Sequence, residues 1–412
     1  MPKHSYNEHF SIIIDTLNIR FTHAQPVTLD LTQLHPSTAL SIYKQGLTTL
    51  TLLNPEQRHK SYHLSYSVEV DGKRIGTIDS NPVRATYAAN MVHFRTTNQL
   101  LYTSELLSSI NRLIADFNLV LNNYSRIDIA IDTNVDVMKR FEKYFFDPEH
   151  YHFHRNKTQI DKINTFGTVE RNGETNYTLY LANNVNGRSL KLYNKSIEIV
   201  ESSKKHYITE FHRNNGLNIN QDIWRFELSI TNDAISEYEI IYRLKTDYNS
   251  ALTEYRYNKL TPSEQSLYAS EKHKKGFQPS FDRLQDATHL LELFKHYGYS
   301  LVEFRKKDNC NKTRCTPMPL LHLPNDIKPI EPIEYIITTT KHTENTMKHN
   351  IKFQFEQFQK WNDADYLTMA QKIAIRNNLM EYYDTLYSKY KSVISSYNHS
   401  LGNYNNNSAS LF

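Results

Sequence analysis

Apolar and polar residues alternate with a period of two through much of the first 235 residues. Leu17, Ile19 and Phe21 alternate near the start, and Thr48 to Leu53 and Ser61 to Val70 follow. Asp71-Gly72 then marks a tight hairpin turn, returning through Arg74 to Ile78. Asn90 to Phe94 is a further short strand. In Arg126 to Asp132, Ile127, Ile129 and Ile131 point one way, while Arg126, Asp128, Ala130 and Asp132 point the other. Phe166 to Val169, Asn176 to Leu181 and Ser189 to Lys195 read as consecutive strands, with Asn172-Gly173 as a turn. In the last of them Leu190 and Leu192 oppose Lys191, Tyr193 and Lys195. From Trp224 to Ile230, the residues Trp224, Phe226 and Leu228 oppose Arg225 and Glu227.

Helical spacing interrupts these strands. Leu106, Ile110, Leu113 and Phe117 form one stripe, and 136–146 and 198–212 are also predicted helices. Beyond residue 235 the period changes: 235–245 and 281–297 read as helices. The tail from 343 to 396 carries a broken stripe of Ile373, Leu379, Tyr383, Leu386 and Tyr390. The fold class is therefore α+β, an antiparallel sheet with helices packed on it, followed by a helical C-terminal region. The boundaries read as 1–235 for a sheet domain, 236–315 for a helical and basic extension, and 316–335 for an exposed linker punctuated by prolines. Residues 336–412 complete the chain as a helical tail with a disordered end. No internal repeat is visible in the residues themselves.

Composition narrows the function classes. A chain of 412 residues can bury a sizeable core and exceeds the usual single domain. The net charge of +4 is too small to name a nucleic-acid partner, so any basic surface must be local, as in the runs Lys272-His-Lys-Lys275 and Arg305-Lys-Lys307. Only 10 glycines and no P-loop pattern exclude a nucleotide-driven motor of that kind. Cys310 and Cys315 lack the company that a zinc site needs and read as reduced thiols. No apolar run reaches membrane-spanning length and the N-terminus has no signal-peptide core, so the expectation is a cytoplasmic protein without a membrane partner.

The stretch Arg188-Ser-Leu-Lys-Leu-Tyr-Asn-Lys-Ser-Ile-Glu198 carries the most pointed chemistry. A phenol flanked by two ammonium groups on one strand face can receive a phosphodiester, and a tyrosyl oxygen can be a nucleophile when its deprotonation is assisted. With 29 tyrosines in the chain, packing is the ordinary role of a tyrosine here. Its company adds weight: Arg126-x-Asp128-x-Ala130-x-Asp132, then Thr178-Leu-Tyr-Leu181, then Leu192-Tyr-Asn-Lys-x-x-Glu198, then Trp224-Arg-x-Glu-Leu228. A separate candidate is Glu149-His-Tyr-His-Phe-His-Arg155. There His150, His152 and His154 would share a strand face as metal ligands of a water-using nuclease, although 19 histidines make chance matches common.

The ordered set of four motifs, over roughly residues 10 to 235, resembles the replication initiation factor family: initiators of rolling-circle plasmids with related relaxases and phage nickases. The resemblance implies a core of duplicated ferredoxin-like halves and a tyrosine nucleophile at Tyr193. It implies nicking and religation of one origin strand through a 5′-phosphotyrosyl intermediate. Mg²⁺ or Mn²⁺ would be held by hard ligands from neighbouring strands, here Asp128, Glu227, His93 and Asp132. Arg126, Lys191, Lys195 and Arg225 would hold phosphates. A carboxylate is usual in the family where His93 falls, and a glycine where Ala182 falls. The implied partners are origin DNA (single-stranded or an extruded hairpin), a host helicase, and a second copy of the chain supplying the second tyrosine. Three other readings share parts of this pattern: a conjugative relaxase of the same chemistry, a non-catalytic DNA-binding regulator, and the histidine-metal nuclease.

Overall fold

The computed structural model describes residues 9–23, 42–53, 57–84, 90–155, 158–159, 163–169, 175–200, 205–248, 257–266, 278–311, 314–324, 327–335, 344–376 and 379–397. The predicted Asn172-Gly173 turn, the Lys272–Lys275 run and the C-terminal end after Asn398 lie outside these residues. The chain divides into two compact units, Met1–Tyr335 and Ile336–Phe412.

The first unit is built on an antiparallel sheet whose strands are β1 (Phe10–His23), β2 (Ile42–Gln45), β3 (Thr48–Leu52), β4 (Tyr62–Val70), β5 (Lys73–Pro82), β6 (Met91–Thr96) and β7 (Leu119–Thr133). It continues, after β8 and β9 given below, with β10 (Asn164–Val169), β11 (Thr175–Val185), β12 (Arg188–Asn194) and β13 (Trp224–Thr231). Their spatial order is β10-β11-β12-β13-β7-β1-β6-β5-β4-β3-β2. The fold is α+β, as the alternation predicts. The order also contains a repeat that the residues hide. Outward from β1 run β6, β5, β4 and β3; outward from β7 run β13, β12, β11 and β10. In each half the last strand returns beside the first, β6 beside β1 and β13 beside β7.

The helices of this unit are α1 (Asn98–Leu101), α2 (Leu106–Phe117), α3 (Val137–Phe145), α4 (Lys195–Glu198), α5 (Tyr207–Asn214), α6 (Asn232–Tyr248) and α7 (Ala287–Leu301). The core-facing residues of the two central strands, Ile12, Ile14, Leu17, Ile19 and Phe21 with Ile127, Ile129 and Ile131, are buried. On the same side, Leu190, Leu192, Phe226 and Leu228 are buried, and α7 packs against β12, β13 and β1. Asp71 and Gly72 both have positive φ, 50° and 74°, which matches the primed turn expected between β4 and β5.

A second, four-stranded sheet has the order β15-β14-β8-β9, with β8 (Tyr151–Arg155), β9 (Thr158–Gln159), β14 (Val302–Lys306) and β15 (Pro317–Met318). It corrects the expectation of an exposed proline linker. Pro317–Met318 pairs with β14, Leu320, Leu321 and Ile333 are buried, and the Ile333 amide donates to the Tyr102 carbonyl at 2.9 Å. The apolar residues between the prolines have core to join, so the segment packs on the first unit instead of spacing two units apart.

The second unit holds α8 (Glu344–Trp361), α9 (Ala364–Arg376) and α10 (Met380–Lys389). Ile351, Phe355, Phe358, Ala370, Ala374, Leu379, Tyr383 and Leu386 form its own apolar cluster. Because each unit has its own apolar cluster among the described residues, deleting 336–412 should leave the first unit's melting temperature within a few degrees of the full chain. A thermal scan by circular dichroism checks this. Loss of the cooperative transition would show that the helices are part of the first unit's stability.

Candidate active site

The pairing register assembles the polar face. Tyr193 lies opposite Arg225 and Lys191 opposite Glu227 across β12 and β13. On the next strand, Arg225 faces Asp132, Glu227 faces Ala130, and Ser229 faces Asp128. Residues directly opposite share a face, so these side chains rise from the side of the sheet away from α7.

Glu227 is the centre of the first cluster. The Tyr193 hydroxyl donates to Glu227 Oε2 at 2.9 Å, and Lys191 Nζ donates to Oε1 at 3.0 Å. Beside it, Asp128 accepts two hydrogen bonds from Arg126 at 2.8 and 2.7 Å, and one from the Ser229 hydroxyl. Burial pushes the Tyr193 phenol well above its ordinary pKa; the Arg225 charge opposes this and the Glu227 charge adds to it. Tyr193 is therefore a neutral phenol with its proton aimed at a carboxylate, and the neighbouring ammonium groups do not ionise it in advance. Burial likewise raises Asp128, the Arg126 hydrogen bonds oppose it, and the charge of Glu227 raises it further.

The motif around Tyr193 has a local structural logic. The Asn194 side chain accepts from the Ile197 amide at 3.1 Å, capping α4 and ending the strand one residue after the tyrosine. Lys195 pairs with Glu198 at 2.6 Å across one helical turn, with its ammonium 5.8 Å from the centre of the Tyr193 ring. Lys195 is 2% exposed, which corrects its expected role as a phosphate grip. It is a buried post under the tyrosine ring.

Arg225 and Asp132 require the same kind of correction. Arg225 is fully buried and holds Asp132 with two contacts at 2.6 and 2.7 Å, Asp15 at 2.8 Å, and the Tyr102 hydroxyl at 3.0 Å. His212 Nε2 lies 2.8 Å from the same Asp132 carboxylate. Burial works against the Asp132 charge, yet Arg225 and His212 hold the carboxyl well below its usual range. A guanidinium so enclosed does not reach a phosphate, and a carboxylate so enclosed does not reach a metal. Asp15 enters this network because the β1–β7 register shifts between Ile14 and Thr16 and leaves Asp15 outside the ladder. Only its place in an opening strand is legible in the sequence.

His93 stands apart. It is on β6, four strand steps from β12, with Nε2 3.1 Å from the Ser125 hydroxyl and Nδ1 3.6 Å from Asp79. The four proposed ligands thus divide into three places: Asp128 with Glu227, Asp132 in the buried network, and His93 beside Asp79. Among the described residues, no group of three or more His, Cys, Asp or Glu side chains could hold a metal ion. Asp128 and Glu227 stand together, engaged by Arg126, Ser229, Tyr193 and Lys191, and the four expected ligands do not converge on one point. The histidine trio does not form one face either. His150 precedes β8 and pairs with Asp147 at 2.7 Å, while His152 and His154 stand on β8, in the other sheet, with ring centres 5.8 Å apart.

The tripeptide Tyr-Asn-Lys recurs at Tyr257–Lys259, where it forms a 3₁₀ turn. The backbone there is a turn, whereas Tyr193 is on a strand paired with β13.

No protein-family model matches the chain, and no curated protein matches it. Among solved structures it is similar to a rolling circle replication initiator protein from Geobacillus stearothermophilus. The two are 13% identical with a TM-score of 0.39, over 76% of this chain and 93% of that one. Among the described residues no helix is long and apolar enough to cross a membrane.

Proposed function

We propose that the chain is a replication initiator that nicks and rejoins one DNA strand by transesterification at Tyr193. The observation that carries this reading is the Tyr193–Glu227 hydrogen bond of 2.9 Å, with Lys191 on the same carboxylate. A regulator with a packing tyrosine has no need of a buried carboxylate aimed at that hydroxyl. In the reaction, Tyr193 Oη bonds to the scissile phosphorus as the bond from phosphorus to the 3′ oxygen breaks. Glu227 takes the phenolic proton and returns it to the departing 3′ oxygen. The products are a 5′-phosphotyrosyl ester and a free 3′-hydroxyl, and the reverse step rejoins the strand.

Lys191 and Arg126, which are 26% and 44% exposed at their side chains, supply the positive charge that meets the phosphate oxygens. No step here is routed through a metal, because the expected ligands do not converge among the described residues. The substrate is unpaired DNA at a replication origin. Religation after a round of copying calls for a second tyrosine, which a second copy of the chain provides, and a host helicase would extend the opened duplex.

Incubation with a labelled single-stranded origin oligonucleotide, followed by a denaturing gel, tests the reading. A label that migrates with the protein is expected; release of a free 5′-phosphate with no covalent species overturns it. Glu227→Gln keeps the size of the side chain and removes the proton acceptor. Adduct formation should slow by about 10²–10⁴-fold in a folded protein. A rate within a factor of about two of wild type would remove Glu227 from the chemistry.

A further inference from the structure

The polar face carries a third carboxylate-held cation besides Lys191 and Arg126. Arg95, on β6, donates to both oxygens of Asp79 at 3.0 and 3.1 Å, and the Ser65 hydroxyl donates to Asp79 Oδ1 at 2.6 Å. This repeats the arrangement of Arg126, Asp128 and Ser229: a two-pronged guanidinium on an aspartate that a serine from the adjacent strand also holds. Asp79 is fully buried, whereas Arg95 is 35% exposed. The pair with Asp79 uses two of the five guanidinium N–H groups. Asp79 thus acts as a fixed mount for a cation that the face presents.

The register joins these mounts into a track. Arg126 is opposite Asn18 on β1, and Asn18 is opposite Arg95 on β6, so both arginines lie in one row on one face. Two strand steps separate them, about 10 Å. Lys191 lies in the row of Glu227 and Ala130, four residues further along β7 from Arg126. The three cations therefore trace a diagonal of about 25 Å across the sheet, from Lys191, two residues from Tyr193, to Arg95.

We propose that Arg95, mounted on Asp79, binds a backbone phosphate of a single DNA strand that crosses this face away from Tyr193. The proposal rests on the strand-nicking reading and extends it by a partner path and a contact residue remote from the reacting atoms. Three carboxylate-mounted cations on one sheet face match a flexible polyanion better than a small anion, which would need them to converge. Their partly exposed heads also suit a chain bound mainly through its backbone.

The test uses fluorescein-labelled oligothymidylates of about 4 and about 12 nucleotides with the full-length protein. Wild type should bind the longer strand about tenfold tighter or more. In Asp79→Asn/Arg95→Gln, a double change that leaves no buried charge unpaired, this gain should fall to about twofold. The salt dependence of binding the longer strand should lose about 0.7 from its slope, one phosphate contact. Adduct formation on a short oligonucleotide should stay at the wild-type rate. A gain that persists in the double variant overturns the track alone. Failure of wild type to bind either strand or to form an adduct overturns the strand-nicking reading beneath it. An unfolded double variant leaves a measurement on wild type: the longer strand should protect Arg95 from phenylglyoxal, mapped by mass spectrometry. Unchanged reactivity of Arg95 would reject the contact.

Discussion

Tyr193→Phe is expected to give a folded protein that binds single-stranded DNA and forms no covalent adduct. The change removes one oxygen and keeps the ring that stands over the buried Lys195 ammonium. In stability it costs the hydrogen bond to Glu227, about 1 kcal/mol, because Lys191 still satisfies that carboxylate. In chemistry it removes the atom that bonds to phosphorus, and no partial activity survives that loss. The elevated pKa of the phenol sharpens the test. Since Tyr193 is not ionised in advance, activity depends on Glu227 accepting its proton, so Tyr193→Phe and Glu227→Gln should both leave binding intact. They should differ in degree, complete loss against a slowed rate. In wild type, trypsin should leave the nucleotide on the peptide Leu192-Tyr193-Asn194-Lys195. An adduct that survives Tyr193→Phe, for instance on Tyr257 of the second Tyr-Asn-Lys, would end the assignment.

What the sequence makes legible here follows from range. Alternation is local, so β12, β13 and the 126–132 part of β7 are readable, and so is the sharing of a face by Lys191 with Tyr193 on one strand and by Arg225 with Glu227 on another. Whether that face meets water or protein is not local. Arg225, Asp132 and Lys195 have the pattern of surface residues, yet α1 and α5 bring Tyr102 and His212 over the first two, and α4 folds Glu198 onto the third. Strand order is also invisible to periodicity. His93 reads as a neighbour of Asp128 only until β1 is seen to lie between β7 and β6. The repeat of the two halves escapes for a related reason: it is conserved in strand order, with different residues on each strand. The prolines of 316–332 read as spacers because their punctuation is strong, while the burial of Leu320, Leu321 and Ile333 depends on a core assembled from distant segments.

The largest stability effect should come from Arg225→Met. Arg225 is the shared counter-ion of Asp15 and Asp132, and its removal leaves two carboxylates with little compensation: Asp132 keeps His212, and Asp15 keeps the Tyr102 hydroxyl and Asn98. Breaking a buried pair from one side costs about 3–5 kcal/mol. For a unit of this size that is a fall of roughly 10 °C in melting temperature. The pH dependence separates this cause from simple loss of packing. In wild type both aspartates are held below their unfolded pKa of about 3.9. Their contribution is therefore present above that value and is lost only as pH falls through the lower folded values. In the variant the same carboxyls are buried without the guanidinium, so their folded pKa rises above the unfolded one. The folded variant then gains protons, and stability, as pH falls through the raised values. Urea melts at pH 7 and near pH 4.5 should show the deficit shrinking toward acid. A deficit of equal size at both would assign the loss to packing, and a deficit under about 1 kcal/mol at pH 7 would mean that Arg225 is not what allows two charged carboxylates beneath Tyr193.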